Sequence, residues 1–148
     1  MKKIFLLIII LTPLYFVFSD ETEFVNSLFE KKTATFSDLV SAFCYLNDIN
    51  AVTDFNSNIN FLKEKIKYFP KKYSEQKPLN YGDFSLFFIQ QIKLKSGLLY
   101  QASHSGRYAL RELMIIKVIP ENTSEFNKMS GNDLLRYLGK VDLYEVQK

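Results

Sequence analysis

Asn80-Tyr81-Gly82-Asp83-Phe84 introduces an apolar run through Leu86, Phe87, Phe88, Ile89 and Ile92. It reads as a helix start: a side-chain acceptor at Asn80, an acid three residues later, then a large apolar residue. The Asn80 oxygen can accept from an unpaired N–H of the first turn, and Asp83 sits near the positive end of the helix. Thr35-Phe36-Ser37-Asp38-Leu39 and Ser130-Gly131-Asn132-Asp133-Leu134 repeat the pattern. Such a cap is worth about 1 kcal/mol. The three starts lie about 45–50 residues apart, a spacing found in helical repeat units.

Working outward, the run from Tyr81 to Leu94 is apolar on most sides, as in a buried central helix. A strand over Phe84–Ile89 fits the same run by pattern alone. Phe36, Leu39, Val40 and Phe43 keep helical spacing through Leu46, with Cys44 one turn beyond Val40 as a core residue. Further helices are expected over Glu21–Lys32, Asn60–Phe69 (ended by Pro70), Arg107–Val118 and Gly131–Leu143, with loops over Asn47–Asn58 and Lys71–Pro78. Sustained period-two alternation is absent. The expected fold is therefore an all-α bundle of five to six helices, forming one domain over residues 20–148.

Residues 1–19 read as an export signal. Lys2 and Lys3 precede an apolar run, Ile4 to Phe18, and Val17-Phe18-Ser19 offers a cleavage site before Asp20-Glu21. The run is shorter than the roughly 20 apolar residues a membrane span needs, and Pro13 interrupts it. An uncleaved N-terminal anchor is the alternative. Cys44, the single cysteine, is far from the cleavage point, so neither lipidation there nor an internal disulfide is expected. Lys2 and Lys3 supply two of the three excess positive charges, leaving a nearly neutral mature chain with no electrostatic case for nucleic acid. Lys63, Lys65, Lys67, Lys71 and Lys72 read as a solvated helix face and loop.

The second and third capped starts share what precedes them. A helix, a proline (Pro70 or Pro120), a loop and an apolar anchor (Pro78-Leu79 or Phe126 to Met129) lead into each. In this the chain resembles the S-layer homology domain, a family of about three helical repeats in bacterial envelope proteins. Tyr108 to Val141 carries the best match, through Leu110, Leu113, Ile116, Val118-Ile119, Phe126 and Met129 to Leu134. Leu62 to Ile92 and Thr35 to Leu46 match less fully. The resemblance implies helical repeats and attachment to pyruvylated cell-wall polysaccharide. The family's motif arginine, however, falls on Phe36, Tyr81 and Gly131, Lys117 stands at its turn glycine, and Lys128 at its proline. Losing that arginine removes a natural partner for an anionic sugar.

Catalytic signatures are thin. His104, the lone histidine, lies in Ser103-His104-Ser105-Gly106-Arg107 without a nucleophile elbow, and reads as loop or helix-start chemistry. Asp38, Asp83, Asp133, Glu112 and Glu121 read as helix-start or surface charges rather than a glycosidase pair. No metal site or cofactor is expected. Nine tyrosines without tryptophan, and the proximity of Tyr100, Arg107, Tyr108 and Arg111, suggest a tyrosine–arginine binding surface, with tyrosines packed at the edge of a tryptophan-free core as the alternative. The expected function is a non-enzymatic envelope protein, in the periplasm or at the cell surface, that binds an envelope protein or cell-wall polysaccharide. The alternatives are a hydrolase acting on wall polymer through His104 or an acid pair, and an assembly or chaperone-like factor with the Phe84–Ile92 helix partly exposed.

Overall fold

The computed structural model describes residues 22–49, 51 and 54–145. The expected export segment, residues 1–19, lies outside them. The described chain is all-α: α1 (22–29), α2 (Phe36–Leu46), α3 (Phe55–Leu62), α4 (Tyr81–Gln91), α5 (Leu98–Ser103), α6 (Gly106–Ile115), α7 (Gly131–Leu138) and α8 (Val141–Glu145). Among the described residues, extended pairing is confined to isolated contacts of Thr35 with Pro78 and Asn80 with Lys128.

The three capped starts form as the side chains dictate. Asp38 N–H donates to Thr35 Oγ1 at 3.3 Å, Thr35 N–H donates back to Asp38 Oδ2 at 2.8 Å, and the box closes. Asp83 N–H donates to Asn80 Oδ1 at 2.8 Å, and Asp133 N–H to Ser130 Oγ at 3.0 Å. The residue before each cap (Ala34, Leu79 and Met129) is fully buried, as is the apolar residue after each Asp (Leu39, Phe84 and Leu134). All six belong to one hydrophobic core.

The residues before the caps close a ring. Leu79 N–H donates to the Ala34 carbonyl at 2.8 Å, Met129 N–H to Leu79 at 2.9 Å, and Ala34 N–H to Met129 at 2.9 Å. Outside this triangle, each helix start takes carbonyls from the next unit. Phe36 and Ser37 donate to Lys77 and Glu75, Tyr81 and Gly82 to Asn127 and Glu125, and Gly131 to Lys31. First-turn N–H groups that have no partner inside their own helix are satisfied in this way. The third junction is tighter: a Cβ on Gly131 would lie 1.8 Å from the Leu28 carbonyl oxygen, so only glycine fits there.

Aromatic rings fill the core in place of tryptophan. Phe87 meets Phe36, Phe43 and Phe69 edge-on, with centroids 5.7, 5.4 and 5.1 Å away. The run from Phe84 to Ile89 is helical and buried, which removes the strand option. Cys44 is buried as expected, and burial pushes its thiol up to about 11.

Several boundaries move. The third helix covers Phe55–Leu62 instead of Asn60–Phe69, because Asp54 caps it, accepting from Ser57 N–H at 2.8 Å and Ser57 Oγ at 2.6 Å. Residues 66–69 then lie along α4, where Gln90 accepts from Lys67 N–H at 3.0 Å and Tyr68 N–H at 2.8 Å and donates to the Tyr68 carbonyl at 2.9 Å. The short α5, set between Gly97 and His104, was not expected. The last helix divides at Gly139-Lys140 into α7 and α8.

Candidate functional site

A cleft of about 270 Å³ opens where the starts of α4 and α6 meet. Asn80, Gly82 and Asp83 form one wall, and the corner from Ser103 to Arg107 forms another. Phe69, Pro70 and Lys71 border it on one side, and Glu125 and Phe126 on the other. Its floor depends on two glycines in contact: a Cβ on Gly106 would lie 2.5 Å from the Gly82 carbonyl oxygen. Phe126, 79 % exposed, stands at the rim as a bare aromatic surface.

The cleft charges are arranged unevenly. Asp83 is buried, which raises its pKa above the ordinary carboxylate value; the Lys77 ammonium, 2.5 Å away, pulls it back in part. Lys77 also donates to the Lys72 carbonyl at 3.1 Å. Arg107 and Lys71 are exposed, and neither has an ion-pair partner among the described residues. His104 holds the corner in a left-handed conformation, φ 46° and ψ 40°. Its ring stacks on Tyr68 with centroids 3.7 Å apart and meets Tyr100 edge-on at 5.7 Å.

The four residues expected to form a tyrosine–arginine surface are not brought together as one patch. Tyr100 is buried, 6 % exposed, with its hydroxyl unpartnered and pushed up to about 12 by burial. It is core rather than surface, because α5 lays it against Leu86, Ile89 and Ala109. Arg107 lines the cleft, whereas Tyr108 and Arg111 border a separate groove on the outer face of α6. Asn80, Glu125 and Phe126 were not expected as cleft residues; the sequence marks Phe126 only as part of the apolar anchor before Ser130.

The residues that follow the three caps differ in role. Phe36 is buried and stacked on Tyr73 with centroids 5.3 Å apart, and Gly131 is closed by Leu28. The Tyr81 hydroxyl is raised by burial and by its Tyr137 and Asp133 neighbours. Arg136 braces that corner, donating to Asp133 Oδ1 at 2.8 Å and Tyr137 Oη at 3.0 Å. Lys117 sits in the left-handed region, with φ 59°. Lys63, Lys65, Lys67, Lys71 and Lys72 are exposed, as expected, but the first three lie beyond the end of α3 rather than on a helix face.

Among the described residues, no group of three or more His, Cys, Asp or Glu side chains is placed to hold a metal ion, and no helix is long and apolar enough to cross a membrane. Compared with known proteins, the chain matches no family model, no curated protein and no solved structure.

Proposed function

We propose that this chain is an exported, non-enzymatic protein of the bacterial envelope that docks onto another envelope component, a protein or a cell-wall polymer, through the cleft between the starts of α4 and α6. The reading of export rests on the three-part N-terminal segment, and the proposed cleavage after Ser19 goes with a domain in the periplasm or at the cell surface. The observation that carries docking is the pairing of unpartnered Arg107 and Lys71 with exposed Phe126 around one concave site. A cation beside a bare aromatic ring binds polar or anionic groups and stacks on flat apolar ones. The bonds from Tyr81 N–H to Asn127 and from Gly82 N–H to Glu125 hold the Asn80–Asp83 wall against the Glu125 side in advance, which lowers the ordering cost of binding.

Catalysis by the cleft acids is the second reading, favoured by the raised pKa of Asp83 and by Glu125 at the cleft border. Against it, the Asp83 carboxylate is already engaged by Lys77 and His104 is stacked between two tyrosines. The chaperone-like alternative loses its surface, since Phe84 to Ile89 and Ile92 are buried.

The test is co-sedimentation of the protein released from its full-length precursor with peptidoglycan sacculi and, separately, with envelope extract. Retention on one of them is expected, weakened about tenfold by Arg107→Ala or Phe126→Ala. No retention on either, or retention indifferent to both substitutions, overturns the reading. Release of soluble sugar from sacculi, lost in Asp83→Asn, would favour the hydrolase instead.

A further inference from the structure

Two basic stretches far apart in sequence meet beside α5. The first is Lys63, Lys65 and Lys67, beyond the end of α3; the second is Lys93 and Lys95, beyond the end of α4. Gln90 joins them. Its side chain holds the backbone of Lys67 and Tyr68, and its carbonyl accepts from Lys93 N–H at 3.2 Å. Leu94 and Tyr68 pack against one apolar cluster that includes Tyr100 of α5, and the Tyr68 ring stacks on His104 at the end of that helix. The same helix begins with Leu98 and Leu99, 82 % and 59 % exposed.

All five lysines are exposed, and none has an ion-pair partner among the described residues. The acids beside them are Glu64, between Lys63 and Lys65, and Glu112, which faces Gly97 at the start of α5. Cations therefore prevail here, although the chain without Lys2 and Lys3 is nearly neutral. The imbalance is regional. Residues 60–95 carry eight lysines against Glu64, Glu75 and Asp83, whereas residues 20–59 carry seven acids against Lys31 and Lys32. An anionic plane attracts the first region and repels the second.

The residue types indicate which anionic partner fits. Residues 60–95 contain no arginine, the side chain suited to forked recognition of one fixed phosphate or carboxylate. Lysines on flexible stems follow mobile headgroups instead, and each adds to attraction at a bilayer surface. A bare leucine beside them suits the boundary between headgroups and acyl chains, whereas a soluble polyanion offers Leu98 nothing to enter. We infer that Lys63, Lys65, Lys67, Lys93 and Lys95, with Leu98, form a site that seats on a bilayer surface of anionic phospholipid. None of these residues lines the cleft at Arg107, so the inference goes beyond the proposed docking and does not depend on it.

The test is flotation of the released protein with vesicles of phosphatidylcholine, alone or with an equal share of phosphatidylglycerol. Binding is expected only where phosphatidylglycerol is present, and about 0.5 M NaCl releases it. Lys67→Gln, Lys93→Gln and Lys95→Gln together weaken binding about a hundredfold. The charge-matched set Lys32→Gln, Lys117→Gln and Lys128→Gln changes it by less than about threefold. Leu98→Ser weakens it about fivefold. Every substituted position is exposed, so each variant is expected to melt with the parent, which separates loss of binding from loss of fold. No binding to phosphatidylglycerol vesicles overturns the inference, including where soluble polyphosphate is bound instead. Equal binding to phosphatidylcholine alone, equal loss in the two lysine sets, or indifference to salt or to Leu98→Ser overturns it as well. Pure-lipid vesicles read only this surface and lipid-free sacculi only the cleft, so the two ideas fail separately.

Discussion

Replacing Gly131 with alanine is a direct probe of how the three units lock together. The added Cβ would fall 1.8 Å from the Leu28 carbonyl oxygen and 2.7 Å from its carbon, which are backbone atoms and cannot rotate aside. Ordinary van der Waals separation requires a shift of roughly 1.5 Å between α7 and the end of α1. That shift disturbs the hydrogen bond from Gly131 N–H to the Lys31 carbonyl, now 2.9 Å, and strains the neighbouring Met129–Ala34 bond. Overpacking costs about 1–3 kcal/mol, and a weakened buried hydrogen bond adds about 1 kcal/mol. The expected loss is about 3 kcal/mol, or roughly 12 °C in Tm for a domain of this size. Gly139→Ala, at the other end of the same helix, is the control. Gly139 has ordinary helical dihedrals and its Cβ meets nothing closer than 3.6 Å, so alanine there adds about 0.5 kcal/mol by restricting the unfolded chain. Calorimetric or circular-dichroism melting of both variants decides the matter. If Gly131→Ala melts within about 2 °C of the parent, the close junction between units is wrong.

Three further expectations use the same melting assay. Tyr100→Phe removes a buried hydroxyl that has no partner and should stabilise by about 1 kcal/mol; a destabilised variant means the hydroxyl is satisfied. Lys117→Gly relieves a side chain held at φ 59° and should gain about 0.5–1 kcal/mol, whereas a loss would show that the lysine makes a compensating contact. Asp83 carries a raised pKa, so between the ordinary value of 3.8 and its native value the folded state holds the extra proton. Stability from this group is therefore greatest below that window and falls as pH rises through it. Melting of the parent relative to Asp83→Asn should follow that slope, and a pH-independent difference refutes it.

The parts of the fold that depend on local chemistry were legible in the sequence. Thr35, Asn80 and Ser130 cap their helices because each places an acceptor three residues before an acid and four before a core side chain, all within one turn. The start of α3 was equally local and was still missed: Asp54 and Ser57 form a cap, but they lie in a stretch rich in Asn and Asp that reads as loop. The detachment of residues 66–69 from that helix was not local, since Gln90, more than twenty residues away, holds their backbone. The site was harder to read. Its walls come from four separate segments, and of the four residues expected to form the tyrosine–arginine surface only Arg107 reaches it. Tyr100 sits close to Arg107 in sequence, yet the left-handed turn at His104 reverses the chain between them and leaves the tyrosine inside. The ring of backbone bonds leaves no side-chain signature beyond the apolar residue before each cap.

That ring also sets a timetable. A chain leaves the ribosome from its N-terminus, and Ala34 emerges long before Met129, whose carbonyl receives its N–H. The first unit can form its capped helix alone, but the carbonyls that satisfy its first turn belong to Glu75 and Lys77, and its own Lys31 carbonyl waits for Gly131. No pair of units satisfies all of its backbone groups, so a two-unit fragment forms one junction and leaves the other two open. Closure joins residues near the two ends of the domain, the kind of long-range contact that forms late and slowly. The chain therefore stays extensible until nearly all of it has been made, then locks in a single cooperative step.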